Sequence, residues 1–103
     1  MSLRAARAAL IRALEDGAFQ HEARDVLSEK NLLAVGEVTE ADVIRMLRRT
    51  RGEQYSSSPH DWDPQTLVHV FKPEAGKQKW YVKAYFLDPP DRCAVFISVH
   101  KRG

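Results

Sequence analysis

Cysteine is nearly missing: Cys93 stands alone in a chain of 103 residues. No disulfide can close within the chain, which suits a reducing compartment. Cys93 adjoins an apolar run and is expected to be a buried, inert thiol rather than a nucleophile. Long apolar runs are missing as well. None approaches the roughly eighteen residues that a membrane helix needs, and the opening MSLRAARAALIRALEDG lacks the uninterrupted apolar segment of a secretory leader. The cytoplasm is the expected location, with no membrane involved. His21, His60, His69, His100 and Cys93 show neither paired zinc spacing nor an HExxH helix. A Gly-rich phosphate loop, a GxSxG elbow, internal repeats and low-complexity segments are absent too. No metal or cofactor is expected. HDWD at 60–63 could bind a cation but reads first as a turn anchored by its tryptophan.

What is present is an ordinary globular composition, 44% hydrophobic and 29% charged, which excludes disorder and suffices for a single core. One domain spanning 1–103 is expected. The net charge is only +2, but it is uneven: residues 65–103 hold seven Lys or Arg against three acids, and residues 1–64 hold nine against eleven. That tilt suits a polyanionic partner for the C-terminal half.

Residues 3–16 are strong helix formers, with Leu3, Ala6, Leu10 and Leu14 at helical spacing and Gly17 as the stop. Arg4, Arg7 and Arg12 fall on the polar side as a solvated face. Residues 20–30 suggest a second helix with Ala23, Val26 and Leu27 inward. VTEADVIRMLRRTRG, 38–52, predicts a third, with Thr39 as N-cap, Glu40 and Asp42 in the first turn, Val43, Ile44 and Leu47 as the apolar stripe, and Gly52 closing its cationic end. Arg45, Arg48, Arg49 and Arg51 exceed what the helix dipole needs, which makes them candidates for phosphate contact. A polar loop is expected over 53–66.

From Leu67 the period becomes two. LVHVFK, KWYVKAYF and AVFISVH predict three strands within 67–101, joined by PEAGKQ and LDPPDR into an antiparallel meander. Helices first and strands afterwards imply an α+β fold, the helices of 1–52 packed on one face of a small antiparallel sheet. Alternation assigns Val68, Val70, Trp80, Val82, Ala84, Phe86, Val95, Ile97 and Val99 to the helix side. Leu67, His69, Phe71, Tyr81, Lys83, Tyr85, Phe96, Ser98 and His100 fall on the other. If core residues lie opposite core residues, Val70 faces Val82 and His69 faces Lys83; beyond the next turn Val82 faces Val99, Lys83 faces Ser98 and Tyr81 faces His100.

His69, Lys83 and Ser98 would then form one row, with Phe71, Tyr81 and His100 in the next. Such a patch suits metal-free RNA cleavage, in which a base takes the 2′-hydroxyl proton, cations stabilise the phosphoryl charge and an acid protonates the leaving 5′-oxygen. Imidazole, ordinarily titrating near 6.5, serves as either base or acid, and aromatic rings stack unpaired bases. The expected roles are His69 as base, Lys83 and Tyr81 as charge stabilisers and His100 as acid. Arg48, Arg49, Lys72, Ser98 and Lys101 would hold the substrate.

The run from QYSSSPHDWDPQTLVHVFKP through KWYVKAYF to AVFISVHK resembles the MqsR family of bacterial toxin ribonucleases, whose fold is similar to that of the RelE toxins. VTEADVIRML sits where that family has a helix. The resemblance implies an mRNA endonuclease with an RNA substrate and a cognate antitoxin protein as partner. By position, Tyr81 matches the family's active-site tyrosine, and its terminal lysine falls at His100, or at Lys101 if the register slips by one. The family's glutamine and upstream lysine lack counterparts: Val68 stands at the first, beside His69, and Ser56 near the second. Either His69 and His100 replace those groups, or the chain is a non-catalytic nucleic-acid- or protein-binding module on the same fold.

Overall fold

A computed structural model describes residues 2–22, 30–87 and 93–102. Helix α1, Leu3–Asp16, starts at Ser2, whose hydroxyl accepts the Ala5 N–H at 3.2 Å. It ends at Gly17, which takes φ 70°, a backbone that costs a glycine nothing. Its buried stripe is Ala6, Leu10, Ala13 and Leu14. Helix α2, Glu40–Arg49, starts with a capping box: Thr39 Oγ1 accepts from Asp42 N–H at 3.1 Å and Asp42 Oδ2 from Thr39 N–H at 2.9 Å. Val43, Met46 and Leu47 are its buried side, and Ile44 packs at the core's edge. The helix stops at Thr50 rather than at Gly52, because Thr50 turns its hydroxyl back to the Met46 carbonyl at 3.0 Å. Arg7 donates to the Thr50 carbonyl at 2.8 Å, so one arginine expected in solvent ties the two helices together.

The sheet is mixed. Strands β1 (Phe19–His21), β2 (Tyr55–Pro59), β3 (Leu67–Phe71), β5 (Gln78–Phe86) and β6 (Ala94–Arg102) lie in the order β1-β6-β5-β3-β2, and the short β4 (Glu74–Ala75) pairs with β5. The expected meander is there as β3, β5 and β6, extended at both edges. β1 runs parallel to β6 where the start of a helix over 20–30 is expected. Residues 23–29 of that expected helix, with Ala23, Val26 and Leu27, and residues 88–92 of the LDPPDR turn lie outside the described residues. β2 forms within the expected loop 53–66. YSSSP has little intrinsic strand preference, and pairing along the whole of β3 decides its conformation.

The two registers of β5 differ in origin. Ala75 pairs with Gln78 around a two-residue turn in which Gly76 takes φ 63°. The same register continues without slip: Trp80 N–H reaches the Pro73 carbonyl at 3.0 Å, and Phe71 lies opposite Val82, Val70 opposite Lys83 and His69 opposite Ala84. A two-residue turn always pairs residues of opposite parity, so the expected pairings of Val70 with Val82 and His69 with Lys83 are out by one. On the other side, Tyr81–His100, Val82–Val99 and Lys83–Ser98 pair as expected, and then a bulge between Lys83 and Ala84 leaves Ile97 extra. Beyond it the faces of β6 exchange: Phe96 opposes Ala84 in the core, while Ile97 packs with Val68 and Val70 on the opposite face.

The main core joins Leu10, Leu14, Val43 and Leu47 of the helices to Phe71, Val82, Ala84, Phe96 and Val99 of the sheet. Leu10 has no exposed surface, so Leu10→Ala is expected to cost about 2–5 kcal/mol in urea unfolding. Gly76→Ala should cost about 1–2 kcal/mol through its positive φ alone, since an added Cβ meets nothing within 4 Å. A Gly76→Ala variant as stable as the native chain would refute the turn's role in setting the register.

Candidate functional site

On the sheet face away from the helices, the corrected register builds two rows. In one, Tyr81 of β5 lies opposite His100 of β6, their rings stacked with centroids 5.1 Å apart and 21° between planes. Lys72, one residue beyond Phe71 and before the Pro73–Trp80 bond, continues the hairpin register toward Tyr81 and is exposed. In the other row, Lys83 lies between Ser98 on β6 and Val70 on β3, and Ser56 on β2 lies opposite Val70. Val68, Val70 and Ile97 form a small apolar cluster against Tyr81 and Tyr85. The face is therefore a firm support for its polar groups.

Two details give the Tyr81–His100 pair its chemistry. His100 Nδ1 lies 2.9 Å from the Lys101 carbonyl oxygen, which can only accept, so Nδ1 carries hydrogen and the neutral ring keeps its basic lone pair on Nε2. Burial raises the Tyr81 phenol above its ordinary value of 10, so it remains a proton donor at neutral pH. A proton acceptor and a proton donor thus stand side by side.

His69 lies on the other face. It is 2% exposed, opposite Ala84, stacked on Tyr55 at 6.0 Å and set against Phe86 at 5.4 Å. Its Nδ1 is 2.7 Å from the Tyr55 hydroxyl. Burial raises the Tyr55 phenol, which stays protonated, and lowers the His69 imidazole, which stays neutral, so the two share one neutral hydrogen bond. His69 is thus separated by the sheet from Lys83, the neighbour expected for it. Arg48 and Arg49 sit exposed on the last turn of α2, in the helix layer. Lys101 alternates to the helix side with Trp80, its ammonium 5.7 Å from the indole centroid.

A third polar cluster escaped sequence reasoning because its members lie far apart in the chain. His60 Nδ1 accepts the Trp62 N–H at 3.1 Å, so Nε2–H donates to Glu22 Oε1 at 3.1 Å; the Tyr85 hydroxyl reaches the same oxygen at 3.5 Å. Asp63 accepts from the Thr66 hydroxyl at 2.6 Å and from the Gln65 N–H at 3.3 Å. HDWD forms a turn, as expected, but its tryptophan does not anchor it: Asp63 and His60 make the turn's hydrogen bonds, and Trp62 stands 78% exposed at the tip. Cys93 is half-buried, with the Gln20 amide 3.6 Å from its sulfur. Among the described residues no three His, Cys, Asp or Glu side chains gather as a metal site would require. Among them, too, no helix is long and apolar enough to cross a membrane.

The placement of His69 carries a pH dependence. Between the ordinary imidazole value of 6.5 and its lowered folded value, the unfolded chain holds a proton that the folded chain refuses. This contribution is complete above about pH 6.5 and is lost as pH falls through the window below it. His21, also lowered by burial, adds a slope of the same sign. His69→Asn, which keeps a polar atom near the Nδ1 position, should lower the urea midpoint less between pH 7 and 5 than the native chain does. Equal slopes would refute a buried neutral His69.

No family model, curated protein or solved structure matches the chain.

Proposed function

We propose that the chain is a metal-independent endoribonuclease that cleaves RNA by attack of a 2′-hydroxyl on the adjacent phosphate. The observation that carries the reading is the stacked Tyr81–His100 pair, with His100 Nε2 basic and the Tyr81 phenol protonated, beside Lys83 and Ser98 on one face. His100 Nε2 takes the 2′-hydroxyl proton as the 2′-oxygen attacks phosphorus. Lys83 and the Ser98 hydroxyl donate to the non-bridging oxygens where charge gathers. Tyr81 gives its proton to the departing 5′-oxygen. The products are a 2′,3′-cyclic phosphate and a 5′-hydroxyl. Lys72, beside Tyr81, holds the neighbouring phosphate.

Relative to the roles expected from the sequence, His100 moves from acid to base and Tyr81 becomes the acid, because His69 is enclosed in the core. The wider reading, a cytoplasmic toxin held in check by an antitoxin protein, is supported by the resemblance of the C-terminal half to the MqsR family. If it holds, induction of the gene alone arrests growth of a bacterial host.

In cleavage of a mixed-sequence oligoribonucleotide, His100→Ala and Tyr81→Phe should each slow the reaction by about 10²–10⁴-fold, and Lys83→Ala by about 10²-fold or more. His69→Asn should leave the rate within a few-fold of native. EDTA should have no effect, and a deoxyribose at the cut position should abolish cleavage there. RNA bound with no cleavage, or cleavage unchanged in His100→Ala, would overturn the catalytic assignment; the first result would favour the binding module.

A further inference from the structure

On the opposite side of the sheet from Tyr81 and His100, a hollow of about 420 Å³ opens between α2, the segment around Leu32 and Val38, and the ends of β4, β5 and β6. Small-molecule sites commonly measure about 300–1,000 Å³. Val38, Met46, Pro73 and the indole of Trp80 supply much of its apolar lining. Its charges are distributed by the helix. Asp42, Arg45, Met46 and Arg49 share one side of α2 at helical spacing, which sets Asp42 and Arg49 about 10 Å apart along the axis. Asp42 is consumed by the Thr39 cap and by Arg45. Among the described residues no carboxylate pairs with Arg49 or with Lys101, whose ammonium stands over the indole. Glu37, exposed, supplies an acceptor elsewhere on the rim.

We propose that this hollow is a binding site for a purine nucleoside monophosphate, separate from the RNA-cleaving face and independent of that reading. Its three parts correspond to those of such a ligand. Once the Lys101 ammonium turns from the indole to the phosphate, Trp80 and Met46 offer a flat, polarisable surface to the base. Arg49 and Lys101 provide two cations for the phosphate, the guanidinium able to bond it bidentately. Glu37 accepts from an exocyclic amine. A purely apolar ligand would leave both cations unused, and inorganic phosphate would leave the apolar lining uncovered.

Trp62→Phe leaves Trp80 as the sole indole, since the chain has two tryptophans. In that background adenosine monophosphate should quench Trp80 emission saturably, with a Kd below about 1 mM. Arg49→Ala and Lys101→Ala should each weaken binding about tenfold, the usual effect of losing a hydrogen bond to a charged group. Adenosine, lacking the phosphate, should bind about tenfold more weakly than the monophosphate or worse. His100→Ala should leave the titration unchanged, so that failure of this site and failure of the proposed RNA cleavage are read separately. A Kd above about 1 mM, or an affinity in Arg49→Ala and Lys101→Ala no weaker than in their Trp62→Phe parent, would overturn the proposal.

Discussion

The register of β5 against its two neighbours is the constraint on which the rest of the structure depends. Side chains alternate along a strand, so a shift of one residue sends every side chain of the partner to the opposite face. On the β3 side the register is imposed by a two-residue turn at Gly76 and Lys77. On the β6 side it is changed midway by the bulge at Ile97. The turn encloses His69 and Phe71 with the helices. The bulge brings Phe96 to them as well and releases Ile97 to the other side.

From those two local features comes the division between support and chemistry. Phe71, Val82, Ala84, Phe96 and Val99 receive the stripes of α1 and α2 and form one continuous core. Val68, Val70 and Ile97 form a smaller one beneath Tyr81 and Tyr85. A polar sheet surface with no such cluster would leave Tyr81 mobile and its phenol at the ordinary value. Packed against the cluster and stacked on His100, it is fixed in position and its proton is held more tightly. Polar and apolar groups on this face are therefore complementary: one set positions the other.

The same alternation places different chemistry on the two faces where β5 and β6 run side by side. Tyr81 and His100 point one way, Trp80 and Lys101 the other. The cations attributed to a single RNA-binding surface from the sequence thus divide between two places. Lys72 and Lys83 share the face of Tyr81 and His100, while Arg49 and Lys101 border the hollow beneath α2. Strand neighbours that are adjacent in sequence are the least able to act on one ligand.

What the sequence determined by itself was local. Helix α1 with Gly17 and the Thr39 start of α2 were legible because capping residues and helical spacing act within a few positions of one another. The pairing of Tyr81 with His100 and of Lys83 with Ser98 was legible because it involves strands whose cores match directly. The strand Tyr55–Pro59 was not, since serines do not favour a strand until β3 is beside them. Nor was the enclosure of His69, because Val68 and Val70 satisfied the expected apolar pattern equally well on either face. Tertiary structure decided between those faces through the parity of one turn and one extra residue in β6. Both are backbone properties that side-chain hydrophobicity does not encode.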